Sequence, residues 1–166
     1  MSLKASRLRT VSFSLLLGLW ASQAWAQTPA QFIDDASAQA IADIELNRMA
    51  HQKTESQEVK DYTIQVINDR TTANQHLAKI AKQLALPVAE RSEVVDKAKR
   101  LMPQVKDGDT FDQAYAAAQV KNTEQAIEQL QQQAKTSELP ELKAFAEETL
   151  PKLEEHLERA RALAGR

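Results

Sequence analysis

From residue 29 onward apolar side chains recur at intervals of three and four, the spacing that lines one face of an α-helix. The clearest run is Val59, Tyr62, Val66, Arg70, Ala73, Leu77, Ile80 and Leu84. A second run joins Ala116, Val120, Thr123, Ile127, Leu130 and Ala134, and a third joins Leu142, Phe145, Thr149, Leu153, His156, Ala160 and Leu163. No stretch shows the sustained apolar–polar alternation of a half-buried strand.

The breaks between these runs are legible. Thr28-Pro29-Ala30-Gln31 joins a capping hydroxyl, a proline at the first helical position and a glutamine three residues after the cap, which predicts a helix over 29–53. Ser56 is placed to cap a second helix that ends by Leu86-Pro87. Asp107-Gly108-Asp109-Thr110 is a turn followed by the cap of a long helix, and the last helix starts between Ser137 and Pro140. Pro151 is expected to kink that last helix, because it removes one hydrogen bond and crowds the preceding turn. A shorter helix with Val94, Val95, Ala98, Leu101 and Val105 falls within 85–109.

Four long amphipathic helices, paired as two hairpins with short turns, predict an all-α four-helix bundle with a short extra helix in the long connection. The short turns favour packing within one chain over an extended coiled-coil oligomer.

Residues 1–26 read differently. Lys4, Arg7 and Arg9 precede an apolar stretch from Val11 to Trp20, and Ala24-Trp25-Ala26 has the small-x-small form of a signal-peptidase site. The stretch is shorter than the ~20 residues needed to span a bilayer. We therefore expect a signal peptide cleaved after Ala26, a single domain over 27–166, and a location in the bacterial periplasm. Cleavage would remove both tryptophans, Trp20 and Trp25, and leave 140 residues with 18 basic against 23 acidic side chains. That acidic balance, with few aromatic residues, does not suit a nucleic-acid partner or stable insertion into a membrane.

Composition then removes whole classes of chemistry. There is no cysteine, so thiolate nucleophiles, disulfides and cysteine-based metal sites are excluded. Gly108 is the lone glycine between Gly18 and Gly165, too few for a phosphate-cradling loop. Glu-x-x-His and His-x-x-x-His are both absent, which disfavours a di-iron or zincin centre. No serine sits on a strand-to-helix elbow, and so small a bundle gives little sugar-stacking surface. His51 and His76 read as solvated side chains, and Glu154, Glu155 and Glu158 as a solvated face.

What interrupts the apolar rows is more informative. Arg70, Thr123 and His156 fall on them, and Glu45 is flanked at four residues by Ile41 and Met49. Closure of the hairpins would place Glu45, Arg70, Thr123 and His156 in one core layer. Such a layer is either a satisfied ion pair that fixes helix register or the seed of a ligand site.

The chain also resembles a bacterial exported family, domain of unknown function four-one-four-two, whose members are assigned a ferritin-like helical bundle. The resemblance runs from Phe32 to Leu163. It is carried by Ile44-Glu45-Leu46, Asp69-Arg70-Thr71-Thr72-Ala73-Asn74, Phe111-Asp112-Gln113-Ala114-Tyr115 and Leu150-Pro151-Lys152-Leu153-Glu154-Glu155-His156-Leu157. It implies a glutamate at Glu45, a histidine at His156, and Asp-His pairs where this chain has Asp69-Arg70 and Asn122-Thr123. Two of the three expected histidines are thus replaced, which implies altered chemistry at those positions. The resemblance implies a fold and carries no established reaction.

These readings together predict a non-catalytic periplasmic bundle, engaged in binding or in an envelope stress response, with an envelope protein or small molecule as partner and no cofactor. A metal- or small-ligand-binding bundle using Glu45 and His156, with Asp69 or Glu148 assisting, is the first alternative. A holdase-type chaperone with an exposed apolar groove is the second.

Overall fold

The structure is a computed structural model that describes residues 27–108 and 110–165. The expected signal peptide, together with Asp109 and Arg166, lies outside the described residues. Among the described residues five helices follow in order: α1 Pro29–Lys53, α2 Gln57–Gln83, α3 Arg91–Leu101, α4 Phe111–Thr136 and α5 Pro140–Ala164. No strand occurs among the described residues.

The local signals act as their chemistry dictates. Thr28 Oγ1 accepts from the Gln31 amide, and Gln31 Oε1 accepts in return from the Thr28 amide, so the first helix opens on a complete capping box. Ser56 caps α2 by accepting from the Val59 amide. That helix ends before Pro87 acts on it. Ala85 turns to φ +47°, and the amides of Ala85 and Leu86 then reach back to the carbonyls of Lys82 and Ala81. This is a Schellman closure with alanine in the left-handed position that glycine ordinarily takes. Gly108, at φ +124°, supplies the turn before α4. Thr110 precedes that helix, but its side chain makes no capping bond. Helix α5 continues through Pro151.

α1 pairs with α2, and α4 with α5, as two antiparallel hairpins. Cross-pairs fix how the hairpins meet. Residues 62, 69 and 76 of α2 lie beside 156, 152 and 145 of α5, so these helices run antiparallel. Asp43 and Asn47 of α1 lie beside Gln119 and Tyr115 of α4, again antiparallel. Each long helix is therefore antiparallel to its neighbours, and the connection from α2 to α4 must climb the whole bundle.

Helix α3 lies along that climb, against the outer side of α1. Ala38 and Ala42 of α1 meet Ala98 of α3, with Ile41, Val94 and Met102 around them. Three facing alanines let the two backbones approach closely. Asp34 accepts from the Ala89 amide, and Lys97 pairs with Asp35, fastening the start of the climb. Val105, expected within this helix, lies beyond its end and joins the apolar cluster at the far end of the climb, while Leu101 is 47% exposed.

The core is divided in two. One cluster holds Phe32, Ile33, Leu77, Ile80, Leu130, Leu142, Phe145 and Leu153. The other holds Leu46, Val59, Tyr62, Val66, Phe111, Tyr115, Ala160 and Leu163. Between them, at mid-height, lie buried polar groups from all four long helices.

Candidate functional site

An ion pair occupies the centre of this polar layer. Arg70 Nε donates to Asp43 Oδ2 at 2.8 Å, and only 8% and 2% of the two side chains are exposed. A buried carboxylate needs further donors for its remaining lone pairs. Gln119 Nε2 supplies one at 3.0 Å to Asp43 Oδ1, and Asn47 Nδ2 approaches the same oxygen at 3.3 Å. Asn47 also donates to the Asp43 carbonyl, and its Oδ1 accepts from Tyr115 Oη at 2.6 Å. Asp43 and Asn47 are one turn apart, so a single face of α1 carries both.

The second part of the layer is built on α2 and α5. His156 Nε2 lies 2.9 Å from Asp69 Oδ2, and Lys152 Nζ donates to Asp69 Oδ1 at 2.8 Å. Burial raises the Asp69 carboxyl, but the bonds from Lys152 and His156 outweigh it and hold the group below the usual carboxylate range. Burial lowers His156, and the nearby Arg70 charge adds to this, although the Asp69 bond works the other way. Asp69 Oδ2 is an acceptor, so it faces a proton on Nε2 in the neutral imidazole, the form that burial favours. Nδ1 is left as a bare acceptor.

Tyr62 stands between the two parts. Its hydroxyl is within donating reach of the His156 carbonyl at 3.3 Å and Gln119 Oε1 at 3.5 Å, and Thr123 bonds to it. Its ring meets those of Tyr115 and His156 edge-on, with centroids 6.3 Å away in both cases. Burial, first of all, pushes both phenols well above their ordinary ionisation range.

Arg70, Thr123 and His156 all lie buried in this layer. Glu45 does not join them. Its side chain is 47% exposed and pairs with Arg48 Nη1 at 2.6 Å on the outer surface. Asp43 is the carboxylate in the layer. Its signal lay in the row Phe32, Ala36, Ala40, Asp43, Asn47, Ala50, which keeps the three-and-four spacing through two polar residues. Gln119 was missed for a similar reason. The central row of α4 runs Tyr115, Gln119, Thr123, Ala126, Leu130, Gln133, rotated from the apolar row the sequence suggested.

Of the other two histidines, His76 is half exposed and stands edge-on to Phe145. His51 is partly buried, with Nδ1 2.9 Å from Thr63 Oγ1. Glu154, Glu155 and Glu158 are exposed as expected. The large exposed hydrophobic residues, Ile64, Val88 and Leu101, sit on α2, the following loop and α3 rather than on one element.

Two polar atoms in the layer lack partners: Arg70 Nη2 and His156 Nδ1. Both residues line a cavity of about 170 Å³ that opens between α2 and α5. Its other walls include Ala73, His76, Phe145, Glu148, Thr149, Lys152 and Leu153. A smaller space of about 30 Å³ lies on another side of Arg70, among Phe32, Gln39, Leu77 and Leu130. A third, of about 400 Å³, is an amide-rich groove between α1, α3 and α4.

The donor set suits a polar organic group better than a cation. Among the described residues no three His, Asp or Glu side chains are grouped to hold a metal ion. His156 presents one free lone pair, and the guanidinium beside it would repel a positive ion. His156 Nε2 is committed to Asp69, which orients the ring.

Fold and layer define a four-helix bundle with a buried polar middle and a side opening into it. The chain belongs to the family described as a domain of unknown function (DUF4142), whose profile matches residues 18–163. No curated protein and no solved structure matches it significantly.

Proposed function

We propose that this protein is an exported, non-catalytic bundle of the periplasm that binds a small organic molecule through the opening between α2 and α5. One observation carries the reading. Arg70 Nη2 and His156 Nδ1 are buried without partners where their side chains border a cavity. Buried polar groups are otherwise paired almost without exception, and leaving one unpaired costs roughly 1–3 kcal/mol. A bound molecule that reaches these atoms recovers that loss.

Export rests on the basic, apolar and Ala24-Trp25-Ala26 segments at the start of the chain. No described helix is long and apolar enough to cross a membrane. The antiparallel hairpins with one long crossover agree with the ferritin-like topology implied by the family resemblance. The binding role uses the pocket of that fold and none of its metal chemistry.

Two measurements test the proposal. Expression of the full chain in a bacterium should release, on osmotic shock, a product beginning at Gln27 and without tryptophan emission. A retained product that still fluoresces would overturn export. In the purified domain, a screen of compact organic molecules by amide NMR should shift Ala73, His76, Thr149 and Leu153. A screen that leaves these four unmoved would overturn binding at this opening, and turnover of any hit would overturn the non-catalytic reading.

A further inference from the structure

The α2–α5 cavity also carries information about the chemistry of its occupant. Three sets of groups bound it. At the inner end are the Nη2 donor of Arg70 and the Nδ1 acceptor of His156. The walls include the apolar Ala73, Phe145 and Leu153. Lys152, Asp69, His76 and Glu148 stand towards the mouth, where Lys152 is bonded to Asp69.

Each fully charged ligand meets an objection. A carboxylate satisfies Arg70 but brings only acceptor atoms to Nδ1, whose lone pair repels them, and it must pass Asp69 and Glu148. An ammonium group satisfies Nδ1 but lies against the guanidinium. The Arg70 charge is already balanced by Asp43 at 2.8 Å, so it does not call for a second anion. Water alone fills the volume poorly. A water at the inner end makes the same two bonds as a hydroxyl, but water lying against Ala73, Phe145 and Leu153 is released favourably by an apolar body.

A hydroxyl resolves the inner end with one atom. Its oxygen accepts from Arg70 Nη2 while its proton goes to His156 Nδ1. Resting on the binding proposal above, we infer that the cavity takes an uncharged alcohol with a compact apolar body, hydroxyl inward. The size agrees: a cavity of ~150 Å³ elsewhere accommodates benzene, and this one is about 170 Å³. Phe145 and His76, already edge-on with centroids 5.5 Å apart, would border an aromatic body.

A matched series on the purified domain tests this. Benzyl alcohol, toluene and benzoate share a ring and differ in the inward group. We expect benzyl alcohol to shift the amides of Ala73, Thr149 and Leu153 and to bind at least tenfold tighter than either analogue. His156→Gln keeps a donor towards Asp69 and removes the ring acceptor, so it should erase the preference for the alcohol over toluene. Ala73→Leu fills the cavity without touching the hydrogen-bonded layer, and should abolish binding of all three even if His156→Gln does not fold. Equal binding of the three ligands at these amides overturns the alcohol assignment and leaves the binding reading standing. If none of the three moves these amides, the alcohol assignment is overturned. The wider screen then decides binding at this opening separately.

Discussion

Asp43 and Arg70 face each other across the α1–α2 interface at 2.8 Å, and almost no solvent reaches either side chain. Such a pair is costly to assemble and costlier to halve, because removing one partner leaves a charge without water or counter-charge. Arg70→Ala and Asp43→Ala should each destabilise the domain by about 3–5 kcal/mol in urea titrations. Glu45→Ala should cost less than about 1 kcal/mol, since its pairing with Arg48 is exposed to solvent. Equal effects at positions 43 and 45 would contradict the position of the carboxylate in the layer.

The two tyrosines give an optical check of the same layer. Both phenols are held above their ordinary range, chiefly by burial. The chain has no other tyrosine, and the expected mature form has no tryptophan. Tyrosinate absorbance should therefore stay absent through pH 10 and then emerge together with loss of helical circular dichroism. A titration near pH 10 in the folded protein would show that a ring is exposed.

Tyr115→Phe should cost more than Tyr62→Phe. The Tyr115 hydroxyl makes a short bond to Asn47 Oδ1, and its removal strands that buried acceptor at roughly 1–3 kcal/mol. The bonds that the Tyr62 hydroxyl can donate are longer, at 3.3 and 3.5 Å, and its bond with Thr123 leaves only that flexible hydroxyl to re-pair, so it has less to lose. Chemical melts of the two variants give the order directly, and the reverse order would refute it.

Acid should weaken the fold in two steps. His156 has a folded-state pKa below 6.5, so the unfolded chain binds the proton more readily. Its contribution is complete above pH 6.5 and is lost as pH falls through the depressed value. Asp69 is likewise lowered from 3.8, so its contribution is present above that pH and fades below it. His156→Gln should remove the upper step and keep the lower one. A stability profile in which the variant retains the upper step would assign that step to another group.

The end of α2 offers a gain. Ala85 occupies the left-handed region at φ +47°, which is strained for a residue with a Cβ. Ala85→Gly should stabilise the domain by about 1 kcal/mol, read as a shift in the urea midpoint. Destabilisation would mean that the closure depends on the methyl group.

The fold was largely legible because its signals are local. The Thr28 capping box, the Ser56 cap and the Gly108 turn each act within a few residues. The α2 and α5 rows were also readable. Most of their core residues are apolar, and one face of each helix is buried, so a single periodicity describes them.

Helix α1 was harder to read because it is covered on two sides. Ala38 and Ala42 meet α3, while Phe32, Asp43 and Asn47 meet the bundle. Ile41 and Met49 are only partly buried, packing against the α3 cluster and the upper core respectively. Glu45 lies between them at the surface, so apolar neighbours four residues away marked the margins of two buried strips and no core position. Gln119 escaped notice because a polar residue in a core row is indistinguishable from an outer one until its hydrogen-bond partners are known.

Sequence alone therefore determined the four long helices, most of their ends and the presence of Arg70, Thr123 and His156 on inward faces, since these follow from contacts within one or two turns. Tertiary structure decided that Asp43 rather than Glu45 answers Arg70, that Asp69, itself bonded by Lys152, holds His156, and that a cavity adjoins them. Those outcomes depend on the rotation and height at which separate helices meet. The pattern within any one helix leaves both quantities free, and only packing all four together settles which polar atoms find partners and which remain exposed to a guest.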